Sequence, residues 1–445
     1  MSLLARAERY LRRGRPVNAR VTLPVVPNAP IVVAIDMGYG HLRAAAPIAE
    51  RLGVPVLEAD RPPIADAAEE RQWERARHWY GLVTRLSQVP VAGAPMRRVV
   101  DLVTHIPPLH PLRELSAPTA GVRALERMAA RGLGRGLIEH LKQTGTPLVT
   151  TFYSPAILAD RAGCEGVHCI VTDSDINRVW VPMDPAKSRI RYFCPTPRSM
   201  RRLAASGVPE KNLVFTGFPL PHELLGGEEL PALRKNLAAR LVRLDPKGGF
   251  REAYGPEVRS FTGALPDEER GRAPHLVFAV GGTGAQLGIV RQFLPSLREP
   301  IRAGRLRLTL VAGVRADTAA SLRVCVQDAM LDGAVDVLHE PRLLDYFTRF
   351  NALLAGADLL WTKPSEMTFF GALGIPLLFA PPIGVHERYN QRWAIESGVG
   401  FRARDLRATA GWLEEWLNDG TLAAAAWSGA MRMPKSGLYR ILAEL

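Results

Sequence analysis

Cysteine is scarce in this chain. Four occur in 445 residues, at 164, 169, 194 and 325, and no two have the two-residue gap of a zinc or redox motif. That argues against a disulfide-stapled scaffold and a zinc ribbon, and it predicts reduced, largely buried thiols in a cytoplasmic protein. No run of about 20 apolar residues exists, so no segment is expected to span a bilayer. The opening MSLLARAERYLRRGRPVNAR has too short an apolar run for a secretory leader. Internal repeats and low-complexity tracts are absent. The net charge is +13, yet no Lys/Arg block with interleaved aromatics appears, so a nucleic-acid partner is not expected.

The charge is Arg-rich and dispersed, with one local exception. Arg6, Arg9, Arg12, Arg13 and Arg15 accompany Leu3, Leu4, Ala7, Tyr10 and Leu11 at roughly helical spacing. One reading is a helix lying on an anionic membrane surface. The other is a solvated helix docked on its own domain.

The length exceeds one ordinary core and suits two α/β domains. Apolar runs at 31–36, 54–59, 99–104, 147–152, 167–172, 189–193 and 212–216 alternate with helical stretches such as 42–52 and 197–206. Most of these runs are apolar on both faces, as buried parallel strands must be. The scheme repeats at 275–280, 307–312, 335–339, 357–362 and 375–380, with helices near 286–298 and 316–328. Two Rossmann-like doubly wound domains in series are therefore expected, 1–224 and 225–420, facing a cleft at their strand carboxyl ends. A helical tail, 421–445, follows. The join predicts a hinge at Gly217–Pro221, a helix at about 230–244 and a loose loop from Asp245 to Pro274.

Four motifs stand where strands hand over to helices. In DMGYGHLRAAAPIAERL, Gly38 and Gly40 turn the chain and let backbone approach a bound group, and His41 opens the helix. A histidine there can act as general base toward a hydroxyl, or simply cap the helix. In VTDSDINRVWVP, Asp173 and Asp175 follow a strand end, where a carboxylate can orient a substrate or the His41 ring, or only form an Asx turn. In VGGTGAQLG, Gly281, Gly282, Thr283 and Gly284 have the form of a pyrophosphate cradle, without the Lys-Ser/Thr of a P-loop. In WTKPSEMTFFGALGIPLLFAPPIGVHERYNQRW, Lys363, Ser365, Glu366 and Thr368 crowd one helix start, and Gly384, His386, Glu387, Asn390 and Gln391 the next. Those groups suit diphosphate, ribose and sugar hydroxyls, although Ser and Thr also cap helices.

These pieces, in this order, resemble glycosyltransferase family 28, of the GT-B fold, and within it the monogalactosyl- and glucosyl-diacylglycerol synthases. The resemblance runs from about Ile31 to Gly400. Gly38, Gly40 and His41 match a Gly-Gly-His turn. Thr172, Asp173 and Trp180 match a Thr-Asp followed by a Trp, and the block 191–219 matches a helix ending in Gly-Val-Pro and a Thr-Gly-aliphatic-Pro hinge. The loop 281–284 matches a donor-phosphate loop. The first donor turn departs: the family has Gly-Gly-X-Thr with a Glu three residues later, and here Gly371 stands three after Thr368.

The resemblance implies an acceptor-binding N-terminal domain with His41 and Asp173 as catalytic residues and Gly38, Gly40 and Trp180 on the acceptor side. It implies a nucleotide-sugar site on the C-terminal domain. The expected reaction is inverting transfer of a hexose from a UDP-sugar, a co-substrate rather than a cofactor, with no metal. The implied acceptor hydroxyl is that of a membrane lipid, at the inner face of the membrane. Two other readings share the sequence features: a non-hydrolysing nucleotide-sugar epimerase, and a non-catalytic sugar-nucleotide or lipid-binding protein.

Overall fold

A computed structural model describes residues 29–36, 38–75, 105–111, 114–280, 286–382 and 384–445. The expected strand at 99–104 and the arginine-rich start lie outside these residues.

The doubly apolar runs become two parallel sheets. The first contains β1 (Ile31–Ala34), β2 (Val56–Glu58), β3 (Leu148–Thr150), β4 (Val167–Ile170), β5 (Arg191–Cys194) and β6 (Leu213–Phe215) in the order β2-β1-β3-β4-β5-β6. Every ladder in it is parallel. The second contains β7 (His275–Ala279), β8 (Arg307–Gly313), β9 (Val335–His339), β10 (Leu359–Thr362), β11 (Leu377–Phe379) and β12 (Gly400–Arg402) in the order β12-β11-β10-β7-β8-β9, again all parallel. Side chains of β1, β3, β4, β7, β10 and β11 are buried throughout, because helices cover both faces. Both units are thus Rossmann-like doubly wound α/β folds, as the sequence predicts. β12 is an addition: its GFR is too short and too polar to stand out as a strand.

Each sheet reverses its winding direction once. In the first, β2 lies on one side of β1 and β3 on the other; in the second, β8 lies on one side of β7 and β10 on the other. Carboxyl ends of strands at such a reversal leave a crevice that no connection crosses. Among the described residues, the segments entering it are the turn after β1, the turn after β3 and the turn after β10.

The chain divides into two compact units. One runs to Pro219 and includes Ser436–Leu445; the other is Leu220–Lys435. The first crossing falls inside the Gly217–Pro221 stretch read as a hinge. The tail expected as one segment is split. The helix Thr421–Arg432 packs within the second unit, while Gly437–Glu444 returns to the first. Arg191 Nη2 pairs with Glu444 Oε2 at 2.6 Å, and Gly437 lies so close to the Gly217–Phe218 backbone that a Cβ there would stand 2.2 Å from the Phe218 carbonyl oxygen.

The stretch from Asp245 to Pro274 is not a loose loop. Its middle forms the helix Gly249–Thr262, burying Phe250 and Val258. Asp245 starts it: one carboxylate oxygen accepts from the Phe250 N–H at 3.2 Å and the other from the Arg251 N–H at 2.9 Å. Glycine and proline content masked this start, and Pro256 is carried inside the helix.

Candidate active site

The turn after β1 is built around Gly38, whose φ of 109° with ψ of 170° is open only to glycine. A Cβ there would meet nothing within 4 Å, so backbone conformation, rather than crowding, requires the residue. The helix Tyr39–Leu52 follows at once, with Gly40 in its first turn and no side chain capping its N-terminus. His41 does not cap. Its Nδ1 lies 2.8 Å from the Thr151 carbonyl oxygen, just past β3, and 3.3 Å from Thr172 Oγ1, just past β4. Thr151 Oγ1 donates back to the His41 carbonyl at 2.9 Å. A carbonyl oxygen only accepts, so Nδ1 carries the hydrogen, and in the neutral ring Nε2 carries the lone pair.

An aromatic group supports this turn. The Phe152 ring stands 4.7 Å from the His41 ring, edge to face, and Tyr153 and Trp180 continue the cluster at 4.3 Å and 5.5 Å from their neighbours. Trp180 is only 5% exposed, and its carbonyl accepts from Tyr192 Oη at 2.8 Å. Its tie to the site therefore runs through Phe152 and Tyr153. Arg178 anchors the same segment by donating to the carbonyls of Ser116 and Pro182, and burial pulls its guanidinium below the ordinary arginine range.

The two aspartates of the 171–182 segment part company. Asp173 is half-buried directly after Thr172. Asp175 is fully buried, pairing with Arg202 at 2.9 Å and Arg198 at 2.7 Å and accepting from the Ile176 N–H. It thus pins the loop carrying Thr172 and Asp173 and is withdrawn from any Asp-X-Asp metal pair. Among the described residues no group of three or more His, Cys, Asp or Glu is arranged to hold a metal ion.

In the second unit, the glycine loop of Gly281, Gly282, Thr283 and Gly284 lies outside the described residues. The turns after β10 and β11 are described and they meet. Asn390, fully buried, donates from Nδ2 to the Pro364 carbonyl at 3.2 Å, and Lys363 Nζ lies 3.3 Å from Glu387 Oε1. Glu387 occupies the first turn of the helix Val385–Glu396, where its charge suits the helix dipole. Gly384 caps that helix without a side-chain bond, and Gln391 is buried one residue past Asn390.

The turn after β10 does not open a regular α-helix. Glu366–Leu373 is a 3-10 helix buried along its whole length. Ser365 is its N-cap and makes no capping bond; the Thr368 N–H reaches the Ser365 carbonyl instead, at 3.0 Å. Ser365 Oγ and Thr368 Oγ1 are both buried with no hydrogen-bond partner among the described residues. A hydroxyl buried in that state costs about 1–3 kcal/mol, which a bound hydrogen-bonding group would recover. Simple capping is thereby excluded for both.

Sequence reasoning missed Thr151, Phe152 and Tyr153, whose only signal is TTFYSP directly after an apolar run. It also missed Arg315 and Arg342, which follow β8 and β9 at the same sheet edge and pair locally with Asp317 and Asp345.

No family model matches the chain, and no curated protein matches it. Solved structures do. The chain is similar to MurG from Acinetobacter baumannii, at 13% identity over 94% of this chain and 98% of that one, with a TM-score of 0.48. It is similar to a UDP-GlcNAc 2-epimerase from Neisseria meningitidis bound to UDP-GlcNAc, at 12% identity, 93% and 98% coverage and a TM-score of 0.47. A glycosyltransferase from Rickettsia africae gives 9% identity, 94% and 97% coverage and 0.41. With every score below 0.5, the fold assignment rests on the strand order of the chain itself.

Proposed function

We propose that this chain is a GT-B glycosyltransferase that moves a hexose from a nucleotide sugar to an acceptor hydroxyl with inversion. The observation that carries the reading is the His41 ring, held with Nδ1 on the Thr151 carbonyl at 2.8 Å and Nε2 as the basic nitrogen, at the winding reversal of the first sheet. Nε2 takes the proton of the acceptor hydroxyl as its oxygen attacks the anomeric carbon. The bond from that carbon to the diphosphate breaks, and the nucleoside diphosphate leaves. Lys363 and the unpartnered hydroxyls of Ser365 and Thr368 are the donor-side groups, with Glu366, Glu387, Asn390 and Gln391 around them. The preference for UDP, and for a lipid acceptor at a membrane face, rests on the family resemblance and the arginine-rich start.

The test is turnover of UDP-hexoses with a total lipid extract. General-base help contributes about 10²–10⁴ in rate, so His41→Ala should lose turnover on that order while UDP affinity holds. Near-wild-type turnover in His41→Asn would remove the base. Epimerisation of the UDP-sugar without any acceptor would replace transfer by the epimerase reading.

A further inference from the structure

A neutral imidazole works as a base only through the nitrogen that lacks the hydrogen, and the packing around His41 selects which one that is. The Thr151 carbonyl oxygen stands 2.8 Å from Nδ1, and Thr172 Oγ1 stands 3.3 Å from the same atom. Thr151 Oγ1 binds the His41 carbonyl at 2.9 Å, so strand end and helix start grip each other reciprocally. Both threonines are buried, at 0% and 3% exposure. The Phe152 ring, its centroid 4.7 Å away and its plane inclined at 75°, packs against another side of the imidazole.

Thr172 is itself fixed. Thr196 Oγ1 donates to the Ser174 carbonyl at 2.6 Å, and Asp175 one residue on is held by Arg202 at 2.9 Å. The loop that brings the Thr172 oxygen to the ring is therefore braced by a buried ion pair. On that braced loop the Thr172 hydroxyl oxygen stands as a second acceptor for the Nδ1 hydrogen.

We propose that Thr151 and Thr172 are positioning residues that lock His41 in the Nδ1–H tautomer and so present Nε2 to the acceptor. The consequence for catalysis rests on the transferase reading, but the lock does not.

The test uses the full chain with ¹⁵N-labelled histidine, the His41 signals being assigned by their loss in His41→Gln. The wild-type ring should show Nδ1 protonated and Nε2 bare at neutral pH. Thr172→Val, which keeps the shape and removes the oxygen, should shift the Nδ1 resonance as the second acceptor is lost, while the Thr151 carbonyl keeps the hydrogen on Nδ1. It should also lower kcat about tenfold, the weight of one hydrogen bond, with KM for the donor unchanged. Thr172→Ser should restore both. A neutral wild-type ring protonated at Nε2 in place of Nδ1, or a Thr172→Val Nδ1 resonance identical to wild type, would overturn the lock, and the wild-type spectrum decides even if the valine variant does not fold. An Nδ1–H ring in a protein without transferase activity would uphold the lock and defeat the transferase reading alone.

Discussion

At the scale of single residues, Ser365 and Thr368 separate structure from function. A capping serine stabilises its helix, and removing it costs about 0.5–2 kcal/mol. Ser365 makes no such bond, and its hydroxyl is buried without a partner among the described residues. Ser365→Ala and Thr368→Val should therefore leave the urea midpoint unchanged or raise it. If these hydroxyls meet the donor diphosphate, UDP affinity measured by calorimetry should fall about tenfold or more for each, since hydrogen bonds to charged groups are worth about 1.5–3 kcal/mol. Lost stability with unchanged affinity would return both residues to a structural role. Asp175 shows the reverse logic: legible in the sequence as a carboxylate that could orient a substrate or the His41 ring, it is consumed by Arg198 and Arg202.

At the scale of elements, glycine decides how closely helices approach. The helix Thr421–Arg432 passes the 3-10 helix Glu366–Leu373 at Gly429, where a Cβ would stand 2.3 Å from the Gly371 carbonyl oxygen and 2.6 Å from Val399 Cγ2. Helix propensity alone favours alanine over glycine by about 1 kcal/mol. Here a backbone oxygen that cannot yield outweighs it. Gly429→Ala should destabilise by about 1–3 kcal/mol, the usual cost of overpacking. Gly411, in the helix Thr409–Asn418, has nothing within 4 Å of an added Cβ. Gly411→Ala should therefore raise stability by up to about 1 kcal/mol, the propensity gain alone. Urea denaturation of the two variants side by side checks the opposite signs. Because the 3-10 helix carries Thr368 and begins directly after Ser365, Gly429→Ala should also weaken nucleotide binding if those hydroxyls meet the donor.

At the scale of the whole molecule, each unit buries one histidine in its sheet. His168 on β4 and His275 on β7 are both pulled down to about 4, chiefly by desolvation and then by the nearby Arg191 and Arg307 respectively. His275 keeps a partner in Thr309 Oγ1 at 2.8 Å, whereas His168 Nδ1 has none among the described residues. The unfolded chain protonates these rings near pH 6.5, well before the folded one does. Their contribution is therefore fully present above about pH 6.5 and is lost as pH falls toward 4, on the order of 3 kcal/mol per ring. Thermal unfolding at pH 7.5, 6 and 5 should show a falling Tm, and His168→Gln should flatten the first unit's share of that slope. A Tm independent of pH across this range would contradict the burial assigned to these rings.

The sequence by itself determined the two doubly wound units, because a strand apolar on both faces has no stable place except a covered parallel sheet. It also marked the turns where chemistry belongs, since glycines and polar residues directly after such strands can sit only at the carboxyl edge. Tertiary structure decided which of those residues are left for a ligand. Asp175 is taken by arginines of a helix about 25 residues on, Trp180 is sunk in an aromatic cluster, and Ser365 forgoes its cap because the helix that follows is 3-10 and buried. The partners of His41 lie 110 and 131 positions away, just past the ends of strands whose adjacency no local pattern announces. The helix Gly249–Thr262 and the return of Gly437–Glu444 to the first unit were likewise fixed by long-range packing, against which glycine and proline content is a weak local signal.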